Sequence, residues 1–122
     1  MLTFDQDTGP DDCVVCRPVG ELDACTVGEF RRTVGRFASH PKVLIDLSDV
    51  PLVDSAGLGG IIGGIHDVRD HGGRVAVVSR RPSITKLLRF AGFERIVPVV
   101  GSLDEGSAAL HPAGRSLSRP AL

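Results

Sequence analysis

A chain of 122 residues, 42% of them hydrophobic, has room for one globular core and is expected to hold no second domain. Its formal net charge of −1 and pI near 6.4 give no general attraction to nucleic acid or to an anionic membrane. Tyr and Trp are absent, and the five Phe and four His show no spacing that would build a stacking platform for bases.

In chain order, the first ten residues hold Asp5 and Asp7 but neither a basic n-region nor an apolar h-region, so a signal peptide is not expected. Leu2-Thr3-Phe4-Asp5 alternates and reads as an edge strand, closed by a turn at Gly9-Pro10-Asp11-Asp12. Residues 13–19 form its hairpin partner, and Pro18 places the far end at a sheet edge or bulge. Cys13 and Cys16 make a C-x-x-C, yet on a strand residues three apart face opposite ways, which disfavours joint metal or redox use. No metal and no cofactor is expected. The odd cysteine count suits a reducing compartment, and no apolar stretch reaches the roughly 18 residues of a membrane span. The expectation is a cytoplasmic protein with neither nucleic-acid nor membrane partners.

Gly20-Glu21-Leu22-Asp23 ends the second strand, and Thr26-Val27-Gly28-Glu29 has the spacing of a capping box that opens a helix. Val27, Phe30, Val34, Phe37 and Ala38 mark its buried face, Arg31, Arg32 and Arg36 point outward, and Ser39-His40-Pro41 stops it. Residues 42–47 read as a buried strand. Leu58, Ile61, Ile62, Ile65 and Val68 then recur at helical steps, so a helix starts at Asp54-Ser55 and ends at Gly72-Gly73. Residues 74–79 are another interior strand. Pro82 opens a helix with Ile84, Leu87, Leu88 and Ala91 as its stripe and Gly92 as its stop. Residues 95–100 read as a last strand with Pro98 at an edge. Ser102-Leu103-Asp104-Glu105 is a second capping box, opening a helix to about Leu110. The expected domain spans residues 1–110, and 111–122 an expected disordered tail.

Strands alternating with helices imply an α/β domain: a mixed, mostly parallel sheet of about five strands packed with about four helices. Sites in such sheets lie beyond the carboxyl ends of the strands, which puts Asp23 and Asp54-Ser55 at one end. The first turn of a helix leaves N–H groups unpartnered and carries the positive end of the dipole. Asp54 or Ser55 serves there as an N-cap, or Ser55 is a phosphoacceptor. Gly57, Gly59, Gly60, Gly63 and Gly64 each weaken a helix by about 0.5–1 kcal/mol relative to alanine. Their expected purpose is a flat surface that lets another protein approach the Ser55 hydroxyl. A serine hydrolase is disfavoured because a nucleophile elbow needs glycine where Val53 stands, and His40, His66, His71 and His111 have no spacing that singles out a base. A nucleotide-binding loop is disfavoured because the third glycine after Gly57 and Gly59 falls one residue late and no Walker lysine follows.

Gly20-Glu21-Leu22-Asp23, Leu44-Ile45-Asp46-Leu47 leading into Val53-Asp54-Ser55-Ala56-Gly57-Leu58-Gly59, then Gly72-Gly73 and Phe90-Ala91-Gly92-Phe93, resemble the STAS domain of bacterial anti-sigma-factor antagonists over roughly residues 2–110. The resemblance implies a regulatory binding protein, not an enzyme. Its partner would be an anti-sigma factor with a histidine-kinase-like ATPase fold, which phosphorylates the serine, and a serine phosphatase would reverse the step. The unphosphorylated antagonist captures the anti-sigma factor and frees the sigma factor. Carried over, Ser55 is the phosphoacceptor, Asp54 stands beside it, Asp23 faces it, and Ala56, Gly57, Leu58 and Gly59 complete the partner-binding surroundings. Ala56 stands where the family often has a second Ser or Thr, leaving one acceptor. An alternative is a STAS scaffold or sensor subunit of a stress-signalling complex whose Ser55 is never phosphorylated.

Overall fold

Two apolar runs, at residues 43–47 and 75–78, have no polar alternation because both of their faces are covered. They are the central strands of a single sheet in a computed structural model that describes residues 2–111, the side chains of 5–7 excepted. Strands β1 (Thr3–Thr8), β2 (Val14–Val19), β3 (Lys42–Asp46), β4 (Arg74–Val78) and β5 (Val99–Val100) lie in the order β1-β2-β3-β4-β5. β1 is antiparallel to β2, and every later neighbour pair is parallel. The helices are α1 (Val27–Arg36), α2 (Ser55–Asp70), α3 (Pro82–Phe90) and α4 (Leu103–Leu110), with short 3-10 turns at Pro10–Asp12 and Phe93–Arg95. The α/β class, mixed sheet and element order match the reading of the sequence.

Each parallel strand is laid beside its predecessor in one direction, and crossovers share one hand, so α1, α2 and α3 fall on the same face. There Phe30 and Val34, Ile61, Ile65 and Val68, and Ile84 and Leu88 join Val43, Ile45, Val75 and Val77 in the main core. α4 covers the opposite face, packing Leu110 and Leu103 on Cys13, Val15, Leu44 and Ala76. Cys13 therefore belongs to one face and Cys16 to the other, as the pleat requires.

Several boundaries differ from expectation. β1 runs on to Thr8, and the turn after it holds Asp11 and Asp12 at φ 53° and 59°, a conformation that aspartate tolerates. Pro18 pairs with Phe4 beyond the last β2–β3 pair, Cys16 with Ile45, so its missing N–H faces no strand. The expected strand over residues 95–100 shrinks to Val99–Val100. Gly92, at φ 83°, turns the chain into a 3-10 segment in which Phe93 accepts from Ile96 and Val97, and Phe93 and Val97 are buried. Ser102 accepts from the Glu105 N–H as expected, but the Glu105 carboxylate returns to the N–H of Gly101 rather than of Ser102. The expected tail, from residue 112 on, lies outside the described residues.

Candidate functional site

The site is assembled where the chain leaves β2 and β3. Gly20, at φ 123°, turns the chain out of β2 in a conformation that side-chain-bearing residues rarely adopt. Its N–H donates to Asp49 O, the Leu22 N–H donates to Leu52 O at 2.9 Å, and the Asp54 N–H donates to Leu22 O at 3.2 Å. Leu22 and Val53 thus form a parallel bridge, and both side chains are buried. This short zipper sets the Asp23 segment beside the Asp54-Ser55 segment.

Asp23 is half-buried, and its carboxylate is engaged with its own loop. Oδ1 accepts from the N–H groups of Cys25 (2.9 Å) and Thr26 (3.1 Å), while Thr26 Oγ1 accepts from the Asp23 N–H at 3.0 Å and donates to Glu21 O at 2.8 Å. This is the reciprocal bonding of a capping box, three residues earlier than expected: Asp23 caps and Thr26 reaches back. Thr26 cannot cap α1 from outside because its own backbone is already helical, at φ −109° and ψ −14°, and Glu29 is exposed.

On the facing segment Asp54 is the N-cap of α2, its Oδ1 accepting from the Gly57 N–H at 2.8 Å. Ser55 is the first helical residue, exposed, and its hydroxyl makes no hydrogen bond among the described residues. The two roles that the sequence left open for this pair are therefore divided, with capping on Asp54 and the uncommitted hydroxyl on Ser55.

The expectation that the glycines flatten a partner surface is corrected. A Cβ on Gly57 would meet the Leu22 carbonyl, on Gly60 Val27, on Gly64 Val34 and Phe30, and on Gly63 the Arg31 guanidinium. Gly57, Gly60 and Gly64 are buried, and the latter two let α1 lie closely across α2. Gly59 alone of the five is exposed with open space around it. Ala56 and Leu58 are both half-buried, and Leu58 packs against the main core.

Asp23, half-buried, and Glu21, Asp49 and Asp54, all exposed, lie in the segments that follow β2 and β3, at the end of the sheet where α2 begins. Sequence reasoning missed the buried Asp46 at the end of β3, which takes Arg17 Nε at 3.0 Å and the Ser48 N–H at 3.0 Å. A lone acid inside the apolar run 43–47 was the available signal. Arg81 Nε donates to Ser48 O at 2.9 Å and ties the loop after β4 to the loop before Ser55. His40 precedes β3 and His71 caps the far end of α2, so both lie at the opposite end of the sheet, and His66 is about 16 Å along α2 from Ser55. No histidine base stands beside the serine among the described residues. What the site offers is an accessible alcohol that an external phosphoryl donor can reach.

Among known proteins, the STAS domain family matches residues 6–106. A Thermotoga maritima protein provisionally named an anti-sigma factor antagonist is 30% identical over 98 residues, 78% of this chain and 87% of the relative. Among solved structures, an anti-sigma factor antagonist from Mycobacterium paratuberculosis superposes with a TM-score of 0.78 at 23% identity, covering 90% of this chain and 94% of that one. The Bacillus cell fate determinant SpoIIAA in its phosphorylated form superposes with a TM-score of 0.65 at 20% identity, covering 89% and 100%. At these identities the likeness to the two solved structures concerns the fold.

Proposed function

Because the chain belongs to the STAS domain family, we propose that it is an anti-sigma-factor antagonist whose unphosphorylated form captures an anti-sigma factor and whose capture is switched off by phosphorylation of Ser55. The observation that carries this reading is the division of labour at the start of α2, where Asp54 takes the cap and leaves an exposed Ser55 hydroxyl with no structural duty. The name of the Thermotoga relative supports the class, and Bacillus SpoIIAA, which shares the fold, has been solved in a phosphorylated form.

In the proposed cycle the anti-sigma factor has a histidine-kinase-like ATPase fold and supplies both the ATP and the catalytic base. Ser55 Oγ attacks the γ-phosphorus, the bond to ADP breaks, and the hydroxyl proton passes to the kinase base, leaving a serine phosphomonoester and ADP. A serine phosphatase returns the alcohol and inorganic phosphate. This chain contributes binding and the acceptor, holds no cofactor, and works in the cytoplasm.

The phosphate brings about −1.5 to −2 charges to a helix start whose free N–H groups and dipole favour anions, so the isolated fold is not disturbed. The effect falls on the interface. There the phosphate must be desolvated next to Asp54 and beside the segment that carries Asp23, and such a like-charge contact costs several kcal/mol. A loss of about 3 kcal/mol weakens binding more than a hundredfold. Calorimetric titration against the cognate anti-sigma factor tests the reading. Ser55→Ala is expected to bind constitutively and take no label from ATP, Ser55→Glu to bind at least about a hundredfold more weakly, and both to fold normally. Wild-type affinity in Ser55→Glu, or label entering Ser55→Ala, overturns it.

A further inference from the structure

Residues 80–95 depart from the rest of the surface in two respects. They carry Arg80, Arg81, Lys86, Arg89 and Arg95 against the single carboxylate of Glu94, in a chain whose formal net charge is −1, and all six side chains are exposed. In the same segment Phe90, the last residue of α3, is 92% exposed. An aromatic ring normally buries 150–250 Å². Beside it Ser83, Lys86 and Leu87 line, with Phe90, a shallow, open and mostly apolar hollow.

Folding does not account for this face. α3 is held to the core by Ile84 and Leu88, and the turn behind it is completed by Gly92 and the buried Phe93. Neither needs the Phe90 ring.

We infer that Phe90 and the hollow beside it are a second anchor for the protein that reads Ser55, and that the surface of that protein meeting α3 is acidic and bears an apolar side chain that enters the hollow. The inference rests on the function proposed above and names a further part of the same interface. α2 and α3 both begin beyond the carboxyl ends of the adjacent strands β3 and β4, on one face of the sheet, and the Arg81 to Ser48 hydrogen bond joins the loops that precede them. The helical rise puts Phe90 about 12 Å from Pro82 along α3. Neighbouring helices lie about 10 Å apart, so Phe90 is about 16 Å from the start of α2, and a standard patch of about 800 Å², about 16 Å in radius, takes in both when it is centred between them. An exposed aromatic at a pocket is the kind of residue that carries binding energy in such a patch.

The charges choose the occupant. Glu21, Asp49 and Asp54 put negative charge before α1 and α2, while Arg80 and Arg81 at the start of α3 and Lys86 and Arg89 along it are positive, so a partner with the reverse pattern satisfies both. Glu94 already pairs with Arg89 at 3.3 Å, and a second copy placed on this face would set the other four cations, Arg80, Arg81, Lys86 and Arg95, against the same four. An anionic lipid surface would satisfy the cations and the ring but has no projecting group for the hollow.

The test titrates wild type, Phe90→Ser and the double variant Arg80→Glu/Lys86→Glu against the same anti-sigma factor, alongside Ser55→Glu. Phe90 is exposed, and Arg80 and Lys86 make no hydrogen bond or ion pair among the described residues, so circular dichroism and melting should be unchanged. Phe90→Ser is expected to weaken binding at least about tenfold, mainly through faster dissociation. The charge reversal should slow association at least about tenfold at low salt, with the gap narrowing near 0.5 M salt. Wild-type affinity in Phe90→Ser, with Ser55→Glu still defective, removes the anchor and leaves the switch standing. Tighter binding by the charge reversal makes the partner surface basic and overturns the inference. So does Phe90-dependent binding of the wild type to phosphatidylserine–phosphatidylcholine vesicles, which assigns the face to a membrane. If the wild type does not bind the anti-sigma factor at all, the anchor falls together with the proposed function.

Discussion

At Gly57 a methyl group would stand against the carbonyl oxygen of Leu22, the same oxygen that receives the Asp54 N–H. Backbone cannot yield there as a side-chain tip can, so Gly57→Ala must either part the Leu22–Val53 bridge or shift the start of α2. A loss of about 2–4 kcal/mol is expected in urea unfolding, in the range of overpacking plus one hydrogen bond. Gly59→Ala meets nothing within 4 Å and should be neutral or stabilise by up to about 1 kcal/mol through helix propensity. Equal effects at the two positions would show that the bridge is not what Gly57 protects. The glycine run is plain in the sequence. Which members are internal is not, because the atoms they make room for belong to residues 22–34.

The start of α1 shows a similar ambiguity at the scale of the element. Asp23-x-x-Thr26 and Thr26-x-x-Glu29 both have capping-box spacing, and local pattern cannot rank them. The Leu22–Val53 bridge decides: it ends the extended chain at Leu22, so the next residue is the one that turns into the helix. Asp23→Ala and Thr26→Val should each cost about 1–2 kcal/mol, and the double variant less than the sum because the two residues act as one unit. Strict additivity in that double-mutant cycle would mean the bonds are independent. The same geometry sharpens the functional test. Asp23→Ala removes a cap as well as a charge near Ser55, whereas Asp23→Asn keeps a capping oxygen, so an effect of Asp23→Asn on partner binding reports the charge alone.

For the molecule as a whole, coverage of both faces of the sheet sets how stability responds to alkali. Cys16 is 1% exposed in the main core, and burial pushes its thiol up to about 12. Burial also raises Cys13, under α4. In the unfolded chain a thiol ionises near 8.5–9, while the folded protein keeps the proton. The contribution of Cys16 is therefore complete below about pH 9 and is lost as pH rises toward 12, at about 1.4 kcal/mol per pH unit. Urea unfolding of wild type and Cys16→Ala at several values between about pH 8 and pH 11 tests this. The variant starts less stable, because a cavity replaces the sulfur, but should lose stability with pH less steeply than wild type. Parallel slopes would mean that the thiol ionises without unfolding.

By itself the sequence determined the α/β class, the alternation of strands and helices, and the position of Asp54-Ser55 at a helix start. These depend on apolar periodicity, on Gly and Pro at element ends and on cap chemistry, all of which act over a few residues. It also placed Cys13 and Cys16 on opposite faces, since a pleat needs only counting. Only the tertiary structure decided which residue caps α1, which glycines are internal, that residues 95–98 are not strand, and that Asp46 is buried against Arg17. Each depends on a neighbour distant in the chain: Val53 for Asp23, Leu22 for Gly57, the core around Phe93 and Val97 for the short β5, and β2 for Asp46. Exposure of Phe90 belongs with these, because helical spacing identifies an apolar residue but not whether anything in the same chain covers it.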